Sequence, residues 1–518
     1  MDDKTKNTWH NPQRLLFKLA CLATLIALFY AEENWRGRHA WNRFKKEYEA
    51  KGEQFDRQSV VPPPVPDDRN FALTPIVFTS YGQMLTRDGK MIPVKDRATN
   101  FMYRMQMHIA GDDSLLDSRT NGTGNWQKAE IADLTAWQTY YRVLATKTNL
   151  FPIASQPQTP AQDVLLALSK YDSSIEELRE AGRLPYSRFP LEYDKDRPFD
   201  ILLPHLACLK SCGQVLQLRS LAGLQNGQSE KALADVKLLL RLADSIRTEP
   251  FLISHLVRIA MANLALQPVY EGLAEHKWSD AQLTGLDAEL ARLNFVADYQ
   301  FAMRGEMALC DDGAFDYLRH HPEELLKLSE KEEGNSLSRT AVARLIPGGW
   351  FYQNQLYCTR FMVQQYIPAA DLNLETVSPQ KIRRADEVLR ADTKHTTPYN
   401  VMEKILMPAL GAAAKRFAFG QSSADLARTA IAIERYRLAR GEFPESLDAL
   451  APQFVAKVPH DVIGGQSLKY RRTSDGQFVL YSIGWNEADD GGAVVFRKGS
   501  TPGVDISQGD WVWRYPAK

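Results

Sequence analysis

The run LLFKLACLATLIALFYA, from Leu15 to Ala31, constrains the chain more than any other segment. A stretch this apolar must be buried in protein or lie in lipid, and with its neighbours it reaches the roughly 20 residues a helix needs to cross a bilayer. Its one charge, Lys18, has a stem long enough to snorkel its ammonium towards the headgroups. A signal peptide cut ahead of Glu32 would need small residues at the third and first positions before the cut, where Phe29 and Ala31 stand. Lipidation at Cys21 is disfavoured, because Lys18 occupies the place of the lipobox leucine and most of the apolar run follows the cysteine. The expectation is a retained transmembrane anchor that meets membrane lipid through residues 15–31.

Orientation is less constrained. Lys4, Lys6, Arg14 and Lys18 flank one side, and Arg36, Arg38, Arg43, Lys45 and Lys46 the other, so positive charge does not choose between them. A short N-terminal tail before a long body favours the N-terminus inside and the body outside. This places the protein in a bacterial inner membrane with a periplasmic soluble part. Lys plus Arg total 63 and Asp plus Glu total 63, so no global field draws the chain to nucleic acid, and none is expected as a partner. Five scattered cysteines do not make a disulfide framework.

Past the membrane, Trp41, Phe44 and Tyr48 recur at helical spacing, so the anchor helix continues into water and carries an aromatic stripe, with Trp35 near the interface. The stripe serves to dock another membrane protein, or more plainly to pack on the chain's own body or to anchor at the membrane interface. VVPPPVPDD then reads as a stiff extended spacer. The chain divides into an anchor and juxtamembrane helix (1–50), a Pro-rich linker (51–70), an irregular segment (71–127) with a turn at 87–89, a helical body (128–395), and a C-terminal helix plus antiparallel sheet (396–518).

Within the body, helical patterns cover 128–148, 160–182, 202–225, 229–247, 250–275 and 279–309, with shorter helices at 350–365 and 379–391 and a long one at 398–440. The pair around QNGQ resembles one hairpin of a tetratricopeptide repeat, but no second copy follows at a fixed period, so an irregular bundle is expected. At the C-terminus, LKYRRT and QFVLYSI flank the turn SDG as a hairpin, and Trp511, Trp513 and Tyr515 alternate as one face of a strand. The fold class is therefore mainly α with a C-terminal α+β domain: an N-terminal transmembrane helix, an irregular helical bundle, then one long helix on a small antiparallel sheet.

Gly441, Phe443, Pro444, Leu447, Leu450, Asp461, Tyr470, Tyr481, Ser482 and Gly484, in that order after a long helix, resemble the soluble domain of type II secretion major pseudopilins. The resemblance implies an interaction module and a calcium site in the loop after the YSIG strand. The matching loop, WNEADDGG, offers Asn486, Glu487, Asp489 and Asp490 as hard oxygen ligands, against the plainer reading of a solvated acidic turn. No other cofactor is implied. The chain lacks the family's Gly-Phe-Thr-Leu cleavage motif and helix-start glutamate, so pilus assembly is not implied. The remainder resembles uncharacterised membrane-anchored bacterial proteins, which implies no activity.

No HExxH, GxSxG, Walker or dinucleotide motif is present. His205, Cys208 and Cys212 share one helix side as a metal-like set or, more plainly, as core. Asp112 with Asp113, Asp194 with Asp196, Asp311 with Asp312, and Glu306 are the carboxylates that acid–base hydrolysis would draw on. No catalytic set is identified. The leading expectation is a single-pass envelope protein that binds other envelope proteins through its body and C-terminal domain. The alternatives are a membrane-tethered hydrolase using carboxylates in a cleft, or a small-ligand or peptide receptor. A pocket gathering those acids would mark the hydrolase, and an exposed apolar patch or sheet edge the adaptor.

Overall fold

The computed structural model describes residues 12–81, 83–85, 91–93, 105–108, 122–193, 201–309, 313–327, 343–497 and 503–516. The chain opens on α1, Pro12–Glu49, one unbroken helix of 38 residues. Its apolar part, from Leu15 to Phe29, is exposed along its length. From Glu33 onward the same helix turns one face into protein, and Trp41 and Phe44 are buried against Phe55 with ring centroids 5.9 and 6.1 Å apart. The aromatic stripe thus packs on the chain's own body. Among the described residues two helices are long and apolar enough to cross a membrane, but in the second, Leu252–Ala274, 61% of the apolar window is buried inside the protein.

The body is built from α2 (Leu134–Ala145), α3 (Pro160–Leu168), α4 (Asp172–Gly182), α5 (Pro204–Gln225), α6 (Ser229–Asp244), α7 (Leu252–Ala274), α8 (Asp280–Leu290), α9 (Phe295–Leu309), α10 (Gly348–Phe361), α11 (Pro379–Asp392) and α12 (Val401–Arg440). Local chemistry sets several starts. Thr159 with Gln162 and Ser279 with Gln282 form reciprocal capping boxes, each satisfying backbone donors that a helix start leaves open. Two expected helices are each split. The 160–182 pattern breaks at the 3-10 turn Ser169–Tyr171. The 279–309 pattern breaks where Asn294 Oδ1 takes the Ala297 N–H at 2.8 Å and starts α9.

The Pro-rich stretch does not hold the body away from the anchor. Pro62 is buried, its carbonyl accepts from Arg188 Nε at 2.9 Å, and Val61 packs against Tyr193, Phe251 and Leu309. Consecutive prolines keep the segment extended, and its unpaired carbonyls are acceptors that a neighbouring guanidinium can use. In the irregular segment, LTPIVF contains a short helix, Pro75–Phe78, with Ile76, Val77 and Phe78 buried. The strands β1 (Gln83–Leu85) and β2 (Met91–Pro93) pair antiparallel around the expected turn at 87–89, which itself lies outside the described residues.

Between α10 and α11 a short hairpin is formed by β3 (Ala370–Asp371) and β4 (Thr376–Val377). α12 runs 40 residues and stops at Gly441, whose φ of 84° gives the left-handed cap that a side chain disfavours. The sheet that follows has the order β5 (Lys469–Arg472), β6 (Phe478–Ser482), β9 (Trp511–Arg514), with β7 (Val494–Phe496) and β8 (Val504–Gly509) as a separate antiparallel pair. Trp511 and Trp513 both face inward as their alternation predicts. Trp511 meets Phe419 of α12, and Trp513 meets Tyr270 of α7 and Trp126. One contiguous apolar core therefore runs from Trp41 through the body to Trp513, across the expected divisions at 127 and 396.

Candidate functional site

The acidic loop carries the first candidate. Calcium needs six to eight oxygens converging on one point. Here Glu487 turns away to pair with Arg383. Asp489 takes the Tyr481 hydroxyl at 3.0 Å, the Gly491 N–H at 3.1 Å and the Lys469 ammonium at 3.4 Å. Asn486 donates to Asp490 at 2.9 Å. Among the described residues no group of three or more His, Cys, Asp or Glu is placed to hold a metal. The four residues are stapled as an acidic turn by neighbouring donors and cations, and they do not fit a calcium cage. Asp510, which sequence reading missed, organises the turn by accepting the Gly492 N–H at 2.6 Å.

Asp461, Tyr470, Ser482 and Gly484 hold this end of the molecule together. Asp461 accepts Ser482 Oγ at 2.7 Å, the Ile483 N–H at 3.0 Å and the Ile463 N–H at 2.9 Å, tying the 461–467 turn to the end of β6. Tyr470 donates to the Pro444 carbonyl at 2.7 Å. Gly484 has φ 69°, and a Cβ there would strike the Gly509 carbonyl. Their role is structural.

His205, Cys208 and Cys212 are buried on α5. His205 joins a polar chain: its Nδ1 meets the Tyr81 hydroxyl at 3.0 Å, its Nε2 meets Glu249 Oε1 at 2.7 Å, and Glu249 also accepts from Ser254 Oγ. Burial pushes the Cys208 thiol up to about 12, which disfavours its thiolate. Ser254 is bonded to the carboxylate instead of the imidazole, and both Ser254 and His205 are fully buried, so this is core chemistry. Glu306 accepts the Leu252 N–H at 2.7 Å and so satisfies the start of α7; burial raises its carboxyl above the usual range. Asp112, Asp113, Asp194, Asp196, Asp311 and Asp312 lie outside the described residues.

A cleft that gathers titratable groups lies elsewhere, where the α8–α9 connection, α12, the β3–β4 turn and residues 456–460 meet. It encloses about 240 Å³ and is lined by Asn294, Glu375, Gln421, Asp425, Arg428 and His460 among others. Gln421 spans it, accepting the Phe295 N–H at 2.8 Å and donating to Asp425 Oδ2 at 3.1 Å. Arg428 reaches Asp287 at 2.8 Å, and His460 Nε2 sits 3.3 Å from the Glu375 carbonyl. Asp425 is 9% exposed, and burial pushes its carboxyl up to about 7 despite Gln421 and Arg428. Sequence reading missed this site because its parts come from four separate segments of chain, around Asn294, Glu375, Gln421 to Arg428 and His460, and Asp425 sits on α12 among residues that read as core.

The raised carboxyl has a consequence for stability. An unfolded aspartate loses its proton near pH 4, and Asp425 in the fold loses it near 7. The folded state binds the extra proton between these values, so this group's contribution to stability falls as pH rises from about 4 to about 7. Asp425→Asn should be close to neutral at pH 4 and more stable than the parent by roughly 2–4 kcal/mol at pH 8. Denaturant titrations at both pH values test it, and an unchanged difference between parent and variant would refute the assignment.

In comparisons with known proteins, no family model, no curated protein and no solved structure matches the chain.

Proposed function

We propose that this chain is a single-pass membrane-anchored protein of the bacterial envelope, of structural or interaction type, that presents its body and pseudopilin-like C-terminal domain to other envelope proteins. The carrying observation is the division of α1. Leu15, Leu16, Phe17, Leu19, Leu22, Leu25, Ile26, Leu28 and Phe29 are exposed, and one turn later the same helix is locked into protein. Each large apolar side chain gains about 1.5–3 kcal/mol on leaving water, so lipid is the medium in which the first half is stable.

The second half is clasped. Glu33 accepts from Arg36 at 2.5 Å, Trp350 Nε1 at 2.9 Å and the Tyr399 hydroxyl at 3.1 Å, and Asn34 Oδ1 takes the Gly349 N–H at 2.7 Å. Farther along, Arg304 binds Glu53 through two bonds of 2.9 and 3.0 Å. These contacts tie the continuation of the span to the body. Leu372 and Leu374 at the β3–β4 tip, and Val495 and Phe496 on β7, present large apolar side chains to solvent, which supports docking by another protein. The exposed edge strand β5 carries Lys469, Arg471 and Arg472, which guard against strand addition, so partners are expected at side-chain surfaces.

In membranes washed with alkaline carbonate the full chain should stay with the lipid, and Leu22→Arg with Leu25→Arg should release it. Protease added to spheroplasts should reach the body if it is periplasmic. Crosslinking in native membranes should recover other envelope proteins; repeated recovery of the chain alone would sink the interaction reading. One observation favours the hydrolase as a second reading: the cleft holds Glu375 beside an Asp425 that keeps its proton near neutrality, as a general acid must.

A further inference from the structure

The exposed apolar run ends at Ala31, yet contact between α1 and the body begins before that point. The Tyr30 hydroxyl donates to the carbonyl of Leu345, a residue of the body 315 positions away. The turn that leads into α10 therefore descends to the last turn of the span. Leu345 is 67% exposed there, and Trp35, five residues above Tyr30, is also 67% exposed with its ring stacked on His39 at 5.3 Å. At about 1.5 Å of rise per residue, Trp35 stands roughly 7–8 Å above Tyr30. That is close to the depth of one headgroup layer, about 5–8 Å.

We infer that the membrane-proximal end of the body is itself a lipid-contact surface, with Leu345 seated at the boundary between acyl chains and headgroups and Trp35 in the headgroup layer. The inference rests on the membrane-anchor reading and deepens it. Three further features point to lipid as the occupant. The surface is continuous with the span, so the bilayer around Tyr30 also surrounds Leu345. The Leu345 carbonyl lies outside helix hydrogen bonding, and in a medium without water such a group needs an internal donor, which the Tyr30 hydroxyl provides. Tyr30, Trp35, Trp350 and Tyr399 gather at this level, the aromatic composition that membrane–water interfaces favour. Arg38, roughly 12 Å above Tyr30, reaches over the Tyr352 ring at 5.8 Å on the water side of that layer.

The test uses the full chain in vesicles of phosphatidylcholine and phosphatidylglycerol carrying spin-labelled lipids, with Cys310 replaced by serine. An environment-sensitive fluorophore is placed in turn on the native Cys21, on Leu345→Cys with Cys21→Ser, and on Glu445→Cys with Cys21→Ser. Cys21 is exposed within the span and Glu445 is exposed on the C-terminal domain, so they report the two extremes. The expected result is strong quenching at Cys21, at least half that amount at Leu345→Cys when the spin label sits high on the acyl chain, and none at Glu445→Cys. Quenching at Cys21 with none at Leu345→Cys would overturn the lipid seat and leave the anchor standing. No quenching at Cys21 would remove the anchor itself, and the seat with it.

Discussion

Arg258→Ala is expected to destabilise the body by about 3–5 kcal/mol. Arg258 lies on α7 with no exposed surface, yet it is fully charged. It bonds Asp298 on α9 and Asp244 at the end of α6 at 3.2 Å, and its guanidinium lies 5.2 Å from the Phe295 ring centroid. His255 Nδ1 stands 3.7 Å from the same Asp298 carboxylate. One side chain thus ties three helices together. Truncating it leaves Asp298 with a buried charge and no guanidinium, and the desolvation already incurred is no longer offset. Denaturant titration of the full chain in nanodiscs, followed by tryptophan fluorescence, measures the loss. The double variant Arg258→Met with Asp298→Asn removes both charges and should recover most of it. Arg183→Ala breaks an exposed pair with Glu180, 2.9 Å long, and should lose less than about 1 kcal/mol. An equal loss in Arg183→Ala and Arg258→Ala would contradict this account of the buried cluster.

Gly349→Val should open the clasp between α1 and α10. A Cβ on Gly349 would collide with the Glu33 carbonyl, and one on Gly37 with the Gly349 carbonyl, so these two backbones cross at a distance only glycine allows. Overpacking of this kind typically loses 1–3 kcal/mol. If α1 lifts away instead, Trp41 and Phe44 return to water at about 1.5–3 kcal/mol each. The expected loss is therefore about 2–5 kcal/mol, with faster hydrogen exchange along 34–49 and new tryptic cuts at Arg43 and Lys45. Gly348→Ala is the control: its Cβ would meet only Asn34 Oδ1 at 3.5 Å, an ordinary contact, and little should change. Unchanged exchange in Gly349→Val would show that the crossing does not hold the anchor to the body.

Regular elements were legible where they rest on near neighbours in the chain. The helix start at 279, the helix end at 440 and the alternation of Trp511 and Trp513 all rest on neighbours within a few residues, and each appears where expected. Misreadings came where a distant partner decided. α8 and α9 read as one helix because Asn294 looks like any polar surface residue; its neighbour Phe295 gives its N–H to Gln421, more than a hundred positions on. The loop at Asn486, Glu487, Asp489 and Asp490 reads as a cation site because sequence displays the carboxylates without Arg383 and Lys469, which lie near them only in the fold. The Pro-rich stretch reads as a spacer because its extended backbone is local, whereas its contact with Arg188 is not.

By itself the sequence determined the helical periods, the apolar run at Leu15 to Ala31 and the aromatic strand, since each follows from spacing and backbone preference within a few turns of chain. Only the tertiary structure decided that α1 is clasped at Gly349, that Arg258 joins three helices, and that Asp425 lines a cleft. These depend on long-range burial and charge pairing, whose energies come from residues that chain order keeps apart.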